Sequence, residues 1–177
     1  MKLLTFYKNN RLALGIKTDA GVVDVEAAAA QLPSAPSRVP LNVHEAIEGG
    51  AEAAKNLQSL ANEAVAAKVG LLDENSLTWG PCVTNPRKII CVGLNYRKHA
   101  EETNAPIPEY PILFNKFDNT LTGHLHDIQL PKVSSKVDYE AELVIVIGKE
   151  AKDVPKEQAL DYVYGYCNVN DLSARDL

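Results

Sequence analysis

Cysteine is scarce in this chain of 177 residues: three thiols, Cys82, Cys91 and Cys167, share neither CxxC nor zinc-finger spacing. An odd count of scattered cysteines argues for reduced thiols rather than a disulfide framework. Positive charge is short as well. Eighteen Lys and Arg face 23 Asp and Glu, a formal net charge of −5, and no basic cluster breaks that balance. This removes the electrostatic case for nucleic acid or an anionic membrane as a partner. No apolar run nears the roughly 18 residues of a transmembrane helix. The start, Met1 to Arg11, has no long apolar h-region of the kind a secretory signal carries. Together these absences predict a cytoplasmic protein. Apolar residues make up 46% of the chain, enough for a globular core. The length suits one domain, or a small domain plus part of another.

Residues 1–75 read as a small α+β domain. Leu3–Tyr7, Arg11–Ile16 and Val22–Val25 are three predicted strands of an antiparallel meander. Asn9-Asn10 and Asp19-Ala20-Gly21 supply the turns, because Asn and Gly tolerate positive φ. Glu26–Leu32 is Ala-rich and helical. Asn42 caps a short helix through Ile47, with Glu45 in the capping-box position. Ala51–Val69 is the clearest helix, stopped at Gly70. None of this stretch carries evident chemistry. Residues 76–87 hold Pro81 and Pro86 and read as a linker, with a short strand at Leu77–Trp79 and Trp79 packing between domains.

Residues 88–177 hold the polar constellations. Val137–Ile147 reads V-D-Y-E-A-E-L-V-I-V-I. On a strand, residues i and i+2 share a face, so Glu140 and Glu142 project the same way. Two like charges so placed are either the wet face of an edge strand or a seat for a hard cation such as Mg²⁺, Mn²⁺ or Ca²⁺. The apolar run Leu143–Ile147 predicts a strand buried on both faces, with the carboxylates at its mouth. Lys88–Val92 is a second buried strand, feeding Gly93 and a helical turn that carries His99 and Glu102. These two are three apart, so on a helix they can touch, and a carboxylate-held imidazole is an oriented general base. By spacing alone, a surface turn with a His and two acids is the better reading. Residues 104–127 contain Pro106, Pro108 and Pro111 and a turn-rich centre, and predict a lid over the site. His124 and His126 read as exposed, without the neighbours a zinc site needs. Asp171 follows the end of a predicted strand, Tyr162–Val169.

Three motifs in order, G-L-N-Y-R-K-H-A-E-E (93–102), P-I-L-F-N-K (111–116) with D-Y-E-A-E-L-V-I-V-I-G (138–148), and G-Y-C-N-V-N-D-L-S-A-R-D (165–176), resemble the fumarylacetoacetate hydrolase family. The resemblance covers about residues 84–177. It implies a mixed β-sandwich or β-roll catalytic domain over residues 88–177. It implies a divalent metal, Mg²⁺ or Mn²⁺ with Ca²⁺ as a substitute, on Glu140, Glu142 and Asp171. It implies a water-activating dyad of His99 with Glu102. The family's domain continues well past the S-A-R-D segment, so the chain reads as truncated and as needing the remainder of that domain.

The expected activity is metal-dependent hydrolysis of a carbon–carbon bond in a small-molecule 2-oxo acid of the acylpyruvate type. The metal acts there as a Lewis acid on the keto group. Arg175 either pairs with a substrate carboxylate in fork geometry or makes a structural ion pair, and Lys116 lines the pocket. The same site also suits oxaloacetate decarboxylation or isomerisation of an unsaturated 2-oxo dicarboxylate. A homodimer is expected. A second class of reading is a non-catalytic assembly module that keeps the metal ligands without turnover.

Overall fold

The computed structural model describes every residue from Met1 to Leu177. Strands β1 (Lys2–Lys8) and β2 (Arg11–Thr18) form a tight antiparallel hairpin in full register. Asn9 and Asn10 make the turn with φ of 51° and 60°. Asparagine enters this region readily, which gives the turn a twist that matches the strands. Strand β3 (Gly21–Asp24) follows, and β4 (Leu71–Leu72) returns from far along the chain to complete the order β1-β2-β3-β4.

Helix α1 (Val25–Gln31) starts on Asp24, whose carboxylate accepts from the Ala27 N–H at 3.1 Å. Asp24 is only 3% exposed and pairs with Lys8 at 2.7 Å. Helix α2 (Val43–Glu48) is capped by Asn42, as the sequence predicts. Glu45 reaches one residue further out than a standard box, accepting from the Leu41 N–H at 2.8 Å. Helix α3 (Gly50–Ala67) buries Ala53, Leu57, Leu60, Ala61 and Ala64, a single stripe at helical spacing. Leu57 and Leu60 are fully buried against Leu14, Ile16, Val23 and Val25. Each contributes about 1.5–3 kcal/mol by leaving water. The helix ends at Lys68, which turns left-handed at φ 57°, two residues before the predicted stop at Gly70.

The predicted linker is not free. Tyr7 N–H donates to Thr78 O and Gly80 N–H to Thr5 O, both at 2.8 Å, and the Thr5 hydroxyl donates to Pro81 O at 2.7 Å. Residues 78–81 thereby cover the open edge of β1. The strand expected at Leu77–Trp79 reduces to one bridge, Trp79 to Phe6.

Beyond residue 87 the chain forms three two-stranded antiparallel pairs. Strands β5 (Ile89–Gly93) and β6 (Ile112–Lys116) pair, as do β8 (Ala141–Ile147) and β9 (Val163–Asn170), and the short β7 (Val137–Asp138) and β10 (Ser173–Ala174). The whole is α+β, as expected, but these pairs do not close into the anticipated sandwich. Every buried apolar side chain except Ala100 lies between Leu4 and Ala64. The expectation that Leu143–Ile147 is buried on both faces is corrected accordingly. Glu142, Val144 and Val146 are half-buried, while Leu143, Ile145 and Ile147 are 57%, 53% and 54% exposed. A Leu/Val/Ile run is doubly buried only where a layer covers each face, and β8 has cover on one.

The predicted lid is also corrected in part. Residues 112–116 are strand β6, and the following segment docks on the N-terminal sheet. His126 stacks on Tyr7 with ring centroids 6.1 Å apart, and His124 meets Trp79 edge-on at 5.7 Å. Gly123 is buried against Trp79, where a Cβ would lie 2.1 Å from the Trp79 carbonyl oxygen. Trp79 thus packs between the two halves, and His126 is half-buried rather than exposed.

Candidate active site

The antiparallel register of β8 and β9 sets Ala141 opposite Asn170, so the start of β8 lies beside the end of β9. Asp171 N–H donates to Glu140 O at 2.8 Å, and the Asn170 side chain accepts from Glu140 N–H at 3.2 Å. Glu140 and Glu142 are both half-buried with Ala141 exposed between them, so the E-x-E pair shares the covered face. Glu140, Glu142 and Asp171 are therefore gathered at one sheet terminus.

Two cations enter this acidic corner. Lys116, the last residue of β6, pairs with the Asp171 carboxylate and donates to Leu172 O at 2.8 Å. The Asp171 side chain is only 12% exposed. The β7–β10 pair holds Arg175 in place through Arg175 N–H to Lys136 O at 2.9 Å. Its guanidinium pairs with Glu140 and also with Asp138, at 3.2 Å from Nη2 and 3.3 Å from Nε. The hydrogen bond to Glu140, more than any other contact, raises the Arg175 pKa above its usual range. Both cations thus make ion pairs with acids of this corner.

Cys91 of β5 joins the site unannounced. Burial first, then the neighbouring Asp171 carboxylate, push its thiol pKa up against the opposing pull of Lys116. Asp138 was also missed. Both had a signal: D-Y-E-A-E puts Asp138 on the face of Glu140 and Glu142, and the alternation of K-I-I-C-V puts Cys91 on the face of Ile89.

His99 and Glu102 sit on helix α4 (Arg97–Glu102), His99 half-buried and Glu102 exposed. No hydrogen bond or ion pair joins them. A pair at this spacing gains only about 0.2–0.5 kcal/mol, less than the roughly 1.5–2 kcal/mol of rotamer entropy lost in fully fixing a Glu side chain.

The three carboxylates do not converge into a group geometrically ready for a metal ion. Their chemistry fits a hard divalent cation: all donors are carboxylate oxygens, Asp171 is mostly buried, and Glu142 has no ion-pair partner. Lys116 on Asp171 and Arg175 on Glu140 supply positive charge to the other two.

This arrangement defines a carboxylate site at the open end of small antiparallel sheets, ringed by Lys and Arg. The family model described as fumarylacetoacetate (FAA) hydrolase C-terminal matches residues 88–177. The chain belongs to the fumarylacetoacetate hydrolase family. It is 36% identical over 180 residues, 99% of this chain and 53% of the relative, to a Xenopus laevis protein called oxaloacetate tautomerase fahd2, mitochondrial. The crystal structure of maleylpyruvate hydrolase from Sphingobium sp. SYK-6 in complex with manganese (II) ion and pyruvate superposes with a TM-score of 0.73. It is 26% identical and covers 100% of this chain and 60% of that one. A 5-carboxymethyl-2-hydroxymuconate delta-isomerase from Mycobacterium smegmatis superposes with a TM-score of 0.63 at 26% identity, covering 99% of this chain and 56% of that one. The chain spans about half the length of these relatives.

Proposed function

We propose that this chain carries the acidic half of a metal-dependent site that forms the enolate of a small 2-oxo acid. Glu140, Glu142 and Asp171 would hold Mg²⁺ or Mn²⁺, with Ca²⁺ as a substitute. Bound there, the ion supplies Lewis acidity to the 2-oxo group. Lys116 and Arg175, each paired here with one of these carboxylates, are the groups that would meet the substrate's carboxylate. His99 accepts and returns a proton, and Glu102 orients the imidazole once the site is complete. The observation that carries this reading is the backbone-linked pair Glu140 and Asp171, each carrying its own cation.

Among reactions on such an enolate, keto–enol tautomerisation of oxaloacetate is favoured by the relative called oxaloacetate tautomerase, which aligns along nearly the whole chain. The second reading is carbon–carbon bond hydrolysis, in which His99 deprotonates the attacking water. It is supported by the neighbour called maleylpyruvate hydrolase, whose structure holds manganese and pyruvate. The open face of β8 takes further sheet of the catalytic domain, in a homodimer.

The test is to follow enol-oxaloacetate by ultraviolet absorbance with the full-length protein, with Mn²⁺ or with a chelator. Faster loss of the enol with Mn²⁺, abolished by chelation and by Glu142→Gln, with no pyruvate formed, supports tautomerisation. Pyruvate released from an acylpyruvate, with no effect on the enol, replaces it by hydrolysis. Inertness toward both substrates overturns the enolate reading.

A further inference from the structure

Both carboxylate oxygens of Asp176 are engaged by one loop. Oδ1 accepts from the Ser134 hydroxyl at 2.5 Å, and Oδ2 accepts from the Ser135 N–H at 3.2 Å. The Ser135 hydroxyl also reaches Oδ2, at 3.5 Å. The Ser134 oxygen in turn accepts from the Lys136 N–H at 3.2 Å. Residues 134–136 are thus folded around a single acid, and an ionised acceptor makes the stronger kind of hydrogen bond. The next contact is Arg175 N–H to Lys136 O at 2.9 Å. From there β7 and β10 pair over only two residues, Val137 with Ala174 and Asp138 with Ser173. So short an isolated pair does not hold its geometry unaided.

We propose that Asp176 is a positioning residue: by clasping the loop 134–136 it sets the backbone of Arg175, and with it the reach of the guanidinium toward a substrate carboxylate. Lys136 O is the link, since it lies in the clasped loop and accepts from Arg175. The guanidinium's own partners are Asp138, which is exposed, and Glu140, which is half-buried. Ion pairs open to solvent hold a long side chain weakly. Fork geometry toward a carboxylate needs the arginine placed closely, so its backbone has to be fixed by other means. The clasp does this without drawing on Glu140, Glu142 or Asp171. The inference rests on the reading of Arg175 as a partner of the substrate's carboxylate.

The test uses the full-length protein saturated with Mn²⁺. It reads oxalate binding by calorimetry and hydrogen exchange at the Arg175 amide. Asp176→Ala should weaken oxalate about tenfold, the scale of a lost hydrogen bond to a charged group. It should also speed Arg175 exchange by local opening, with exchange along α3 unchanged. Arg175→Ala should weaken oxalate at least as much. Adding Asp176→Ala to Arg175→Ala should weaken it no further, because the second change acts only through the first. Ser134→Ala removes one arm of the clasp and should move both readouts the same way by less. If Asp176→Ala fails to fold, Ser134→Ala carries the test, alone and combined with Arg175→Ala. Additive losses in the double variant, unchanged oxalate affinity, or unchanged Arg175 exchange overturns the proposal. Wild type that binds no oxalate sinks the enolate reading instead. Arg175 exchange then decides the clasp: faster exchange supports it, and unchanged exchange overturns it.

Discussion

The backbone N–H of Asp171 donates to the carbonyl oxygen of Glu140 at 2.8 Å, tying the residue just before β8 to the residue just after β9. Asn170 adds to that tie from its side chain, accepting from Glu140 N–H. Asn170→Ala removes the side-chain tie and leaves all three acids in place. The expected result is Mn²⁺ affinity weakened by about 10–100-fold, the usual effect of removing a partner that orients a ligand. Calorimetry on the full-length protein checks it, and unchanged affinity would show that the backbone bond alone suffices.

Lys116 neutralises Asp171 in this structure. Lys116→Met removes a positive charge that opposes a second cation, so Mn²⁺ should bind about threefold to tenfold more tightly, given the modest size of partly exposed charge interactions. The substrate loses a carboxylate partner, so KM should rise. Tighter metal together with weaker substrate is the signature. A fall in both would make Lys116 a purely structural residue.

His99 stands half-buried on α4, and the proposed function makes it a proton carrier and not a ligand. His99→Ala in the full-length enzyme should lower turnover by about 10²–10⁴. Metal affinity should hold within about twofold, since no ligand changes. Loss of metal with turnover per bound metal preserved would reverse the assignment.

Asp24 both caps α1 and pairs with Lys8 from a buried position. Asp24→Ala loses cap and pair and should destabilise the fold by about 1–2 kcal/mol, the range for a lost N-cap. Asp24→Asn keeps the cap and loses only the charge. The Asp24 carboxylate raises the Lys8 pKa above its ordinary 10.5, so the pair's contribution is complete below that pH. It is lost as pH rises through the raised value. Urea unfolding of wild type and Asp24→Asn should therefore differ at neutral pH and converge in strong alkali.

Gly123 lies where a Cβ would meet the Trp79 carbonyl oxygen, which belongs to backbone and cannot swing aside. Gly123→Ala should cost about 1–3 kcal/mol, the range for overpacking. It should also loosen His124 and His126 from Trp79 and Tyr7. Denaturation, together with hydrogen exchange over residues 121–127, checks both parts.

The sequence alone determined the elements whose causes are local. Asn9-Asn10 turns the β1–β2 hairpin, Asp24 and Asn42 cap their helices, and the Leu57, Leu60, Ala64 spacing writes the buried stripe of α3. Each depends on neighbours within a few positions, so residue type and period suffice to read it. The acidic motif D-Y-E-A-E and Asp171 were legible in the same way, as was the family they belong to. Tertiary structure decided who meets whom across long stretches of chain. It set Lys116 on Asp171, Arg175 on Glu140 and Asp138, and Cys91 beside the carboxylates. It laid the supposed linker along the edge of β1 and drew part of the supposed lid onto Trp79. It also left Leu143, Ile145 and Ile147 uncovered and His99 without a hydrogen bond to Glu102. An apolar run or an i, i+3 spacing states what a segment is able to do. Burial and ion pairing need a second surface, which only the folded chain supplies.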